Sequence, residues 1–390
     1  MSEAHAYVEH ELQLKYLLEL RKMEPPIAPR VEGYQTNEAV YAPLWSSSPG
    51  NRQPLSSLNA MREGEAHKTG HYGPSMADGR KSKPRVRPTR PIGLSNDGAP
   101  SKPNPSPVKR NDGWFLPAPL SNRLYQKSAL GQPIDGGIIL TEEEVMFCHW
   151  HRHVPLAENW VEERISKDPN FPYKSVAYDV VRSAGEKVVP IDGKWMRWSR
   201  ESHPNKGDAD AEVRWSRAKE EFSIDDILKW VNDLSLTGLK GEIAIVDDEM
   251  DVTMYRIELI EPSGNLSPAT LEHHPQLGVE HLSRKFLRQD EIDWLNGEEN
   301  PVSDLFGELN SRGLLMRPGF KYGCRWRVYT TPVEDDHAPW LMQMENDAPS
   351  NWEGVCLSVR LAEGVNKGWV IAVNRGGWRF LLITRHLPGR

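Results

Sequence analysis

Apolar and polar positions follow a helical rhythm at the start of this chain. Over residues 3–23 they alternate at helical spacing, with Leu14, Leu17, Leu18 and Leu20 on or near one face. A lone amphipathic helix has nothing of its own to pack on, so it is expected to dock elsewhere or on a partner. From Glu24 to Arg110 the periodicity stops. Pro, Gly, Ser and Asn dominate there and large aliphatics are scarce, which reads as a long flexible segment. Ordered sequence is expected from near Trp114. Thr141 and Glu144 form a capping-box pattern ahead of an apolar helix from Val145. Phe171 to Trp198 reads as a helix, a turn and strands. Phe222 to Leu236 reads as a second helix, with Ser223 as its N-cap. The run Gly241–Val246 predicts a buried strand, paired through an Asp247–Met250 turn with a strand over Asp251–Glu258.

The pattern repeats. VAYDVVRSAG (Val176–Gly185) matches DLFGELNSRG (Asp304–Gly313), and KGEIAIV (Lys240–Val246) matches KGWVIAV (Lys367–Val373) at nearly the same offset. The strands DVTMYRIE and WRFLLITR follow in register. Two units of about 130 residues in one order indicate internal duplication. The fold class is α+β: two tandem repeats, each with a helical first part and a mixed sheet, behind a flexible extension. The expected divisions are 1–110, 111–260 and 261–390.

Composition changes this picture in three places. The formal net charge is −7, but residues 80–110 hold nine Lys/Arg against one acid, Asp97, with prolines such as Pro84, Pro88 and Pro91 among them. A basic, proline-stiffened arm can follow a phosphate backbone without reading sequence; the competing reading is a solvated linker. Cys148, Cys324 and Cys356 are odd in number and widely spaced, which suits a reducing cytoplasm. No apolar run approaches membrane-spanning length, and the N-terminus lacks the features of a secretory signal.

The candidate chemistry lies in the second unit, at Tyr329, His337 and Lys367. A tyrosine can take a proton from a ribose hydroxyl, although a free phenol titrates near pH 10 and needs cationic help. A histidine can protonate a departing oxygen. A lysine can hold the charge that builds on phosphorus. That set requires no metal and no cofactor. The acidic run Glu334–Asp336 is expected to favour the imidazolium of His337. Singly, the three are a strand-end tyrosine, a loop histidine and a helix-end lysine; together they make a site. Opposite Tyr329 the first unit has Trp198 or Ser199, with His203 a few residues on, while Lys240 stands opposite Lys367. The first unit therefore reads as a structural copy and the second as the working one. CHWHRH (Cys148–His153) invites a zinc reading. On a helix His149 and His153 share a face and His151 points away, and no second Cys/His pair has matching spacing. Exposed imidazoles are the expectation, and no metal ligands are assigned.

FKYGCRWRVY, a following histidine and VRLAEGVNK together resemble the catalytic repeat of the archaeal tRNA-splicing (tRNA-intron) endonucleases. VAYDVVRSAG and AIVDDEMDVTMYRIE are similar to the non-catalytic repeat of the homodimeric, two-repeat type. The resemblance spans about Trp114 to Arg390. It implies that Tyr329 is the general base on the 2′-hydroxyl, His337 the general acid on the 5′-oxygen and Lys367 the stabiliser of the phosphorane. It implies a 2′,3′-cyclic phosphate and a 5′-hydroxyl as products. Arg360 and Arg385 would grip a flipped-out bulge base. The substrate would be precursor tRNA folded as a bulge–helix–bulge, and the enzyme a homodimer. An acidic loop of the non-catalytic repeat would plug the partner's catalytic repeat, with Asn205–Val213 and its Asp208, Asp210 and Glu212 as the candidate. TTPVEDD, Ala-Pro-Trp after His337 and Asn366 before Lys367 depart from the family pattern. The alternatives are a non-catalytic subunit of the same fold, and a DNA nuclease, which would rely on an acidic metal site.

Overall fold

The structure, a computed structural model, describes residues 104–387 apart from Ala184. The helix expected over residues 3–23 and most of the basic arm lie outside the described residues. β1 (Val108–Arg110), β2 (Gly113–Pro117), α1 (Leu120–Ser128), β3 (Gln132–Ile134) and β4 (Gly137–Leu140) open the chain. Their strands form an antiparallel sheet in the order β1-β2-β4-β3. Regular structure is therefore already present before Trp114. Lys109 and Arg110, counted in the arm, pair with Trp114 and Gly113, and their cations lie over the rings of Trp114 and Phe115 at 5.2 and 3.5 Å. α2 (Glu142–Arg152) starts on the capping box: Thr141 Oγ1 accepts from Glu144 N–H, and Glu144 accepts from Thr141 N–H. α3 (Trp160–Lys167) and α4 (Phe171–Ser183) follow, and Leu116, Leu140, Val145, Trp160, Phe171 and Tyr178 pack as their core.

β5 (Lys187–Ile191), β6 (Lys194–Trp198), β7 (Ala211–Arg217), α5 (Ile224–Thr237), β8 (Lys240–Val246) and β9 (Val252–Ile260) complete the first repeat. The hairpin β10 (Val279–His281) and β11 (Arg284–Phe286), with α6 (Gln289–Leu295), leads into the second. That repeat has α7 (Pro301–Ser311), β12 (Leu315–Pro318), β13 (Trp326–Tyr329), β14 (Trp340–Met344), α8 (Trp352–Glu363), β15 (Gly368–Asn374) and β16 (Trp378–His386). All its strands join β5–β9 of the first repeat in one ten-stranded sheet, β12-β13-β14-β15-β16-β9-β8-β7-β6-β5. The order is symmetric about the antiparallel β16–β9 seam, where Ile383 faces Ile257. In each half one pair is parallel, β14–β15 and β7–β8, because a helix crosses between them. α5 and α8 cover one face through Val231, Leu234, Val355 and Val359. Core residues of α4 and α7 lie in the two clusters on the other face.

Local chemistry fixes the correspondence between the repeats. Ser223 caps α5 by accepting from Asp226 N–H, and Asn351 caps α8 by accepting from Gly354 N–H. At the other end Leu239 N–H donates to Leu234 O, and Lys367 N–H donates to Ala362 O. Both pairs of bonds share one offset, and it places Leu239 opposite Lys367. The expectation that Lys240 stands there is wrong by one residue. Matching KG with KG would put Ile243 opposite Val370, yet Ile243 packs under α5 and Val370 packs on the opposite face. In a strand a slip of one residue exchanges the faces.

Candidate active site

Tyr329 ends β13 and pairs with Leu315 of β12. The two pack with Leu266 and Ala338, and Tyr329 is only 4% exposed. The strip around Leu266 is pinned by Asn265 N–H donating to Thr330 O and Leu266 N–H donating to Gly313 O. Gly313 is required for this approach: its φ is +72°, and a Cβ there would lie 2.7 Å from Gly264 O. His337 lies in the exposed loop between β13 and β14, where its backbone N–H donates to Asp336 Oδ1 at 2.7 Å. The next residue, Ala338, is buried against Tyr329. Lys367 sits between α8 and β15 and donates from Nζ to Ala338 O at 2.5 Å. Ala338 is thus the common neighbour that gathers the loop of His337, the ring of Tyr329 and the ammonium of Lys367.

A fourth group belongs to this cluster and was missed from sequence. Arg327 lies two residues before Tyr329 and therefore on the same strand face. Its guanidinium is 5.7 Å from the Tyr329 ring centre, and its Nε donates to Pro318 O at 3.0 Å. The Lys367 ammonium is held below its ordinary pKa, first by burial and then by Arg327, with Asp336 opposing. The period-two spacing of Arg325, Arg327 and Tyr329 in RWRVY was the available signal. Arg317 stands opposite Arg327 across β12–β13; its Nη2 donates to Gln276 O at 2.8 Å and its Nη1 is 3.6 Å from Glu291.

The other candidates lie elsewhere. Arg360 is exposed on α8 and donates to Thr253 Oγ1 at 3.3 Å, beside a 520 Å³ pocket that Asp247 and Asp251 also line. Arg385, on β16, is 3.5 Å from Glu363. Among the described residues neither arginine is hydrogen-bonded or ion-paired to Tyr329, His337 or Lys367. The acidic-loop candidate is corrected. Only Asp208 is exposed; Asp210 accepts from Ser199 N–H at 2.6 Å. Glu212 is inside β7, 3% exposed, held by Lys194 at 3.2 Å and by Trp230 Nε1 at 2.8 Å. The exposed carboxylates of the β8–β9 turn are Asp248, Glu249 and Asp251.

Sheet register shows what the first repeat carries instead. Trp195 pairs with Val213 as Trp326 pairs with Met342, so Trp198, not Ser199, stands opposite Tyr329. Met196 replaces Arg327, and Leu239 replaces Lys367. Trp198, Val189 and Ala129 form a small core with Met196 and Ala209 against it. Trp198 Nε1 donates to Gly207 O at 2.8 Å, and His203 is engaged by Tyr125 O at 3.1 Å. That corner is filled with hydrocarbon where the second repeat gathers cations.

The CHWHRH cluster is dispersed. α2 stops at Arg152, and His153 turns into a left-handed conformation as its C-cap, so His149 and His153 do not share a helix face. His149 Nδ1 meets Val154 O at 3.0 Å, and His151 meets Asp179 at 2.5 Å. The Cys148 thiol is buried, which pushes its pKa up to about 12. Among the described residues no group of three or more His, Cys, Asp or Glu is arranged to hold a metal ion. Among them too, no helix is long and apolar enough to cross a membrane.

Residues 304–378, which include Tyr329, His337 and Lys367, match the family model for the tRNA intron endonuclease catalytic C-terminal domain. The chain is similar to a tRNA-splicing endonuclease of Methanococcoides burtonii, 21% identical over 65% of this chain and 91% of that protein. It is similar to one of Methanosarcina acetivorans, 21% identical over 67% and 94%. A tRNA-splicing endonuclease of Methanopyrus kandleri is 34% identical over 31% of this chain and 62% of its own length.

Proposed function

The chain belongs to the tRNA-splicing endonuclease family, and from that premise we propose that it excises introns from precursor tRNA at bulge–helix–bulge junctions. The reaction is an in-line transesterification. Tyr329 takes the proton of the 2′-hydroxyl, O2′ bonds to phosphorus, and the P–O5′ bond breaks as His337 protonates O5′. Lys367, with Arg327 behind it, stabilises the charge on the phosphorane oxygens. The products are a 2′,3′-cyclic phosphate and a 5′-hydroxyl. A base must leave the helical stack for O2′ to align, and Arg360 and Arg385 are the residues proposed to hold it. The observation that carries this reading is the convergence of Tyr329, Lys367 and the His337 loop on Ala338.

Residues 261–390 form the working repeat and 111–260 the non-catalytic one. Each chain then offers a single site, and excision needs two cuts, which a homodimer supplies. The turn Asp247–Asp251 is the acidic element of the first repeat best suited to enter a partner's basic groove, because Asp248, Glu249 and Asp251 are exposed.

The test is cleavage of a bulge–helix–bulge RNA in EDTA by wild type and His337→Ala, with the product ends analysed. Cyclic phosphate and 5′-hydroxyl ends, lost in the variant, support the assignment. Tight binding without cutting would make the chain a non-catalytic subunit. Cutting that survives His337→Ala would place the active site elsewhere.

A further inference from the structure

The first repeat has a concentration of cations of its own, beside the corner filled by Trp198, whose strand partner is Lys187. At the C-terminal ends of α1, α2 and α4, beside β5, a pocket of about 250 Å³ is lined by Lys127, Arg152, Arg182, Lys187 and Arg200. Glu186 also lines it, and that carboxylate is held by Arg197 at 3.2 Å. The cations are bound largely through carbonyl oxygens. Arg182 donates to Val188 O and Ser128 O, Arg152 to His151 O at 3.0 Å, and Lys187 to Arg200 O at 2.5 Å. Such bonds orient a cation without pairing it to a carboxylate, although the charge of Glu201 acts on Lys187. Arg182 is only 4% exposed, and both its guanidinium and that of Arg152 lie near the Phe147 ring, at 5.1 and 5.5 Å. Burial and the charge of Arg182 hold both Arg152 and Lys187 below their ordinary pKa values. The five charges are thus crowded around one small space.

The equivalent corner of the second repeat is built differently. Gly185 N–H donates to Arg182 O as Gly313 N–H donates to Asn310 O, so Asn310 stands where Arg182 does. Asn310 is tied to both backbone groups of Ala269, and the strip around Leu266 runs over Gly313. Leu315 stands opposite Lys187, since Lys187 pairs with Trp198 as Leu315 pairs with Tyr329. One corner is closed and apolar; the other is open and cationic, with Lys127 and Arg200 exposed at its rim.

We propose that this pocket binds a backbone phosphate of the substrate RNA, at a distance from the cut. The inference rests on the proposed action on precursor tRNA. A phosphodiester is a compact anion whose oxygens suit converging guanidinium and ammonium donors, and binding it displaces counterions. The rim cations give a polymer's phosphate access, and the buried Arg182 supplies fixed positive charge beneath it.

The experiment uses the full chain carrying His337→Ala, so that labelled precursor tRNA is bound in EDTA and left uncut. Anisotropy titrations across a salt series compare this parent with Lys127→Ala/Arg200→Ala on the same background. Both changed residues are exposed, and equal melting temperatures check the fold. The expected result is a Kd raised roughly three- to tenfold and a log–log salt slope reduced by about one. With His337 restored, the single-turnover cleavage rate at saturating enzyme should be unchanged. Equal Kd and slope in parent and variant would overturn the pocket assignment alone. Inorganic phosphate bound by the parent and lost in the variant, with RNA affinity equal in both, would assign the pocket to a free anion and overturn the RNA assignment. No binding of precursor tRNA by the parent would overturn the functional reading, and this assignment with it.

Discussion

Lys367 can stabilise a phosphorane only while it is charged, and two neighbours set how long it stays so as pH rises. Arg327 pushes its pKa down and Asp336 pushes it up, both on top of the larger effect of burial. Deprotonation above that lowered pKa removes the cation, so cleavage should fall along an alkaline limb. Arg327→Gln removes a repelling charge and should move that limb to higher pH. The same change should lower the plateau rate about tenfold or more, since a cation near the developing charge is lost. Asp336→Asn should move the limb to lower pH. Single-turnover pH profiles of the three proteins check both signs, and a limb that ignores both substitutions would mean that Lys367 does not govern it.

The contrast between the repeats becomes a stability question at the level of their strands. In the first repeat Glu242, fully buried, accepts from Arg197 Nε at 2.6 Å and from Arg256 at 2.8 Å, and Arg197 also holds Glu186. The corresponding residues of the second repeat are Leu314, Val328, Val370 and Leu382, an apolar layer. Arg197→Val alone should cost about 3–5 kcal/mol, because it strands buried carboxylates. Glu186→Leu, Arg197→Val, Glu242→Val and Arg256→Leu together copy the second repeat and should recover most of that loss in urea unfolding. The Glu242 carboxyl is held below its ordinary value by Arg197, Arg256 and His386, against its burial. Its stabilisation is therefore present above the ordinary carboxylate pKa and lost as pH falls through the lowered one; the fourfold variant should lack that part of acid destabilisation. Caps, helices and strand pairs were legible in the sequence because Thr141, Ser223 and the short apolar run in GEIAIV act locally. The buried ion network, Arg327 beside Lys367 and the true partner of Lys367 were not. Each depends on which strands adjoin and on register, and the KG of Lys240 matched the KG of Lys367 by identity while facing the other way.

Among the described residues, the two repeats share a ten-stranded sheet closed at the β16–β9 seam, so they cannot separate as independent domains without breaking seven residue pairs of that ladder. Unfolding should accordingly be one transition for both repeats, whatever residues 1–103 do. The proposed assembly is a different matter, because it depends on surface chemistry. If the turn of Asp248 and Glu249 seats in a partner's basic groove, charge reversal there should separate the chains and leave each one folded. Asp248→Lys/Glu249→Lys should therefore shift the mass in solution from twice 44.4 kDa to the single-chain value, at an unchanged melting midpoint at low protein concentration. Light scattering reads the mass, and cleavage at the same concentrations reads the consequence. Activity should fall with dimer content and return as protein concentration rises, since the residues around Ala338 are untouched. A variant that stays dimeric would remove this turn from the interface, and one that is monomeric yet fully active would remove the need for a dimer.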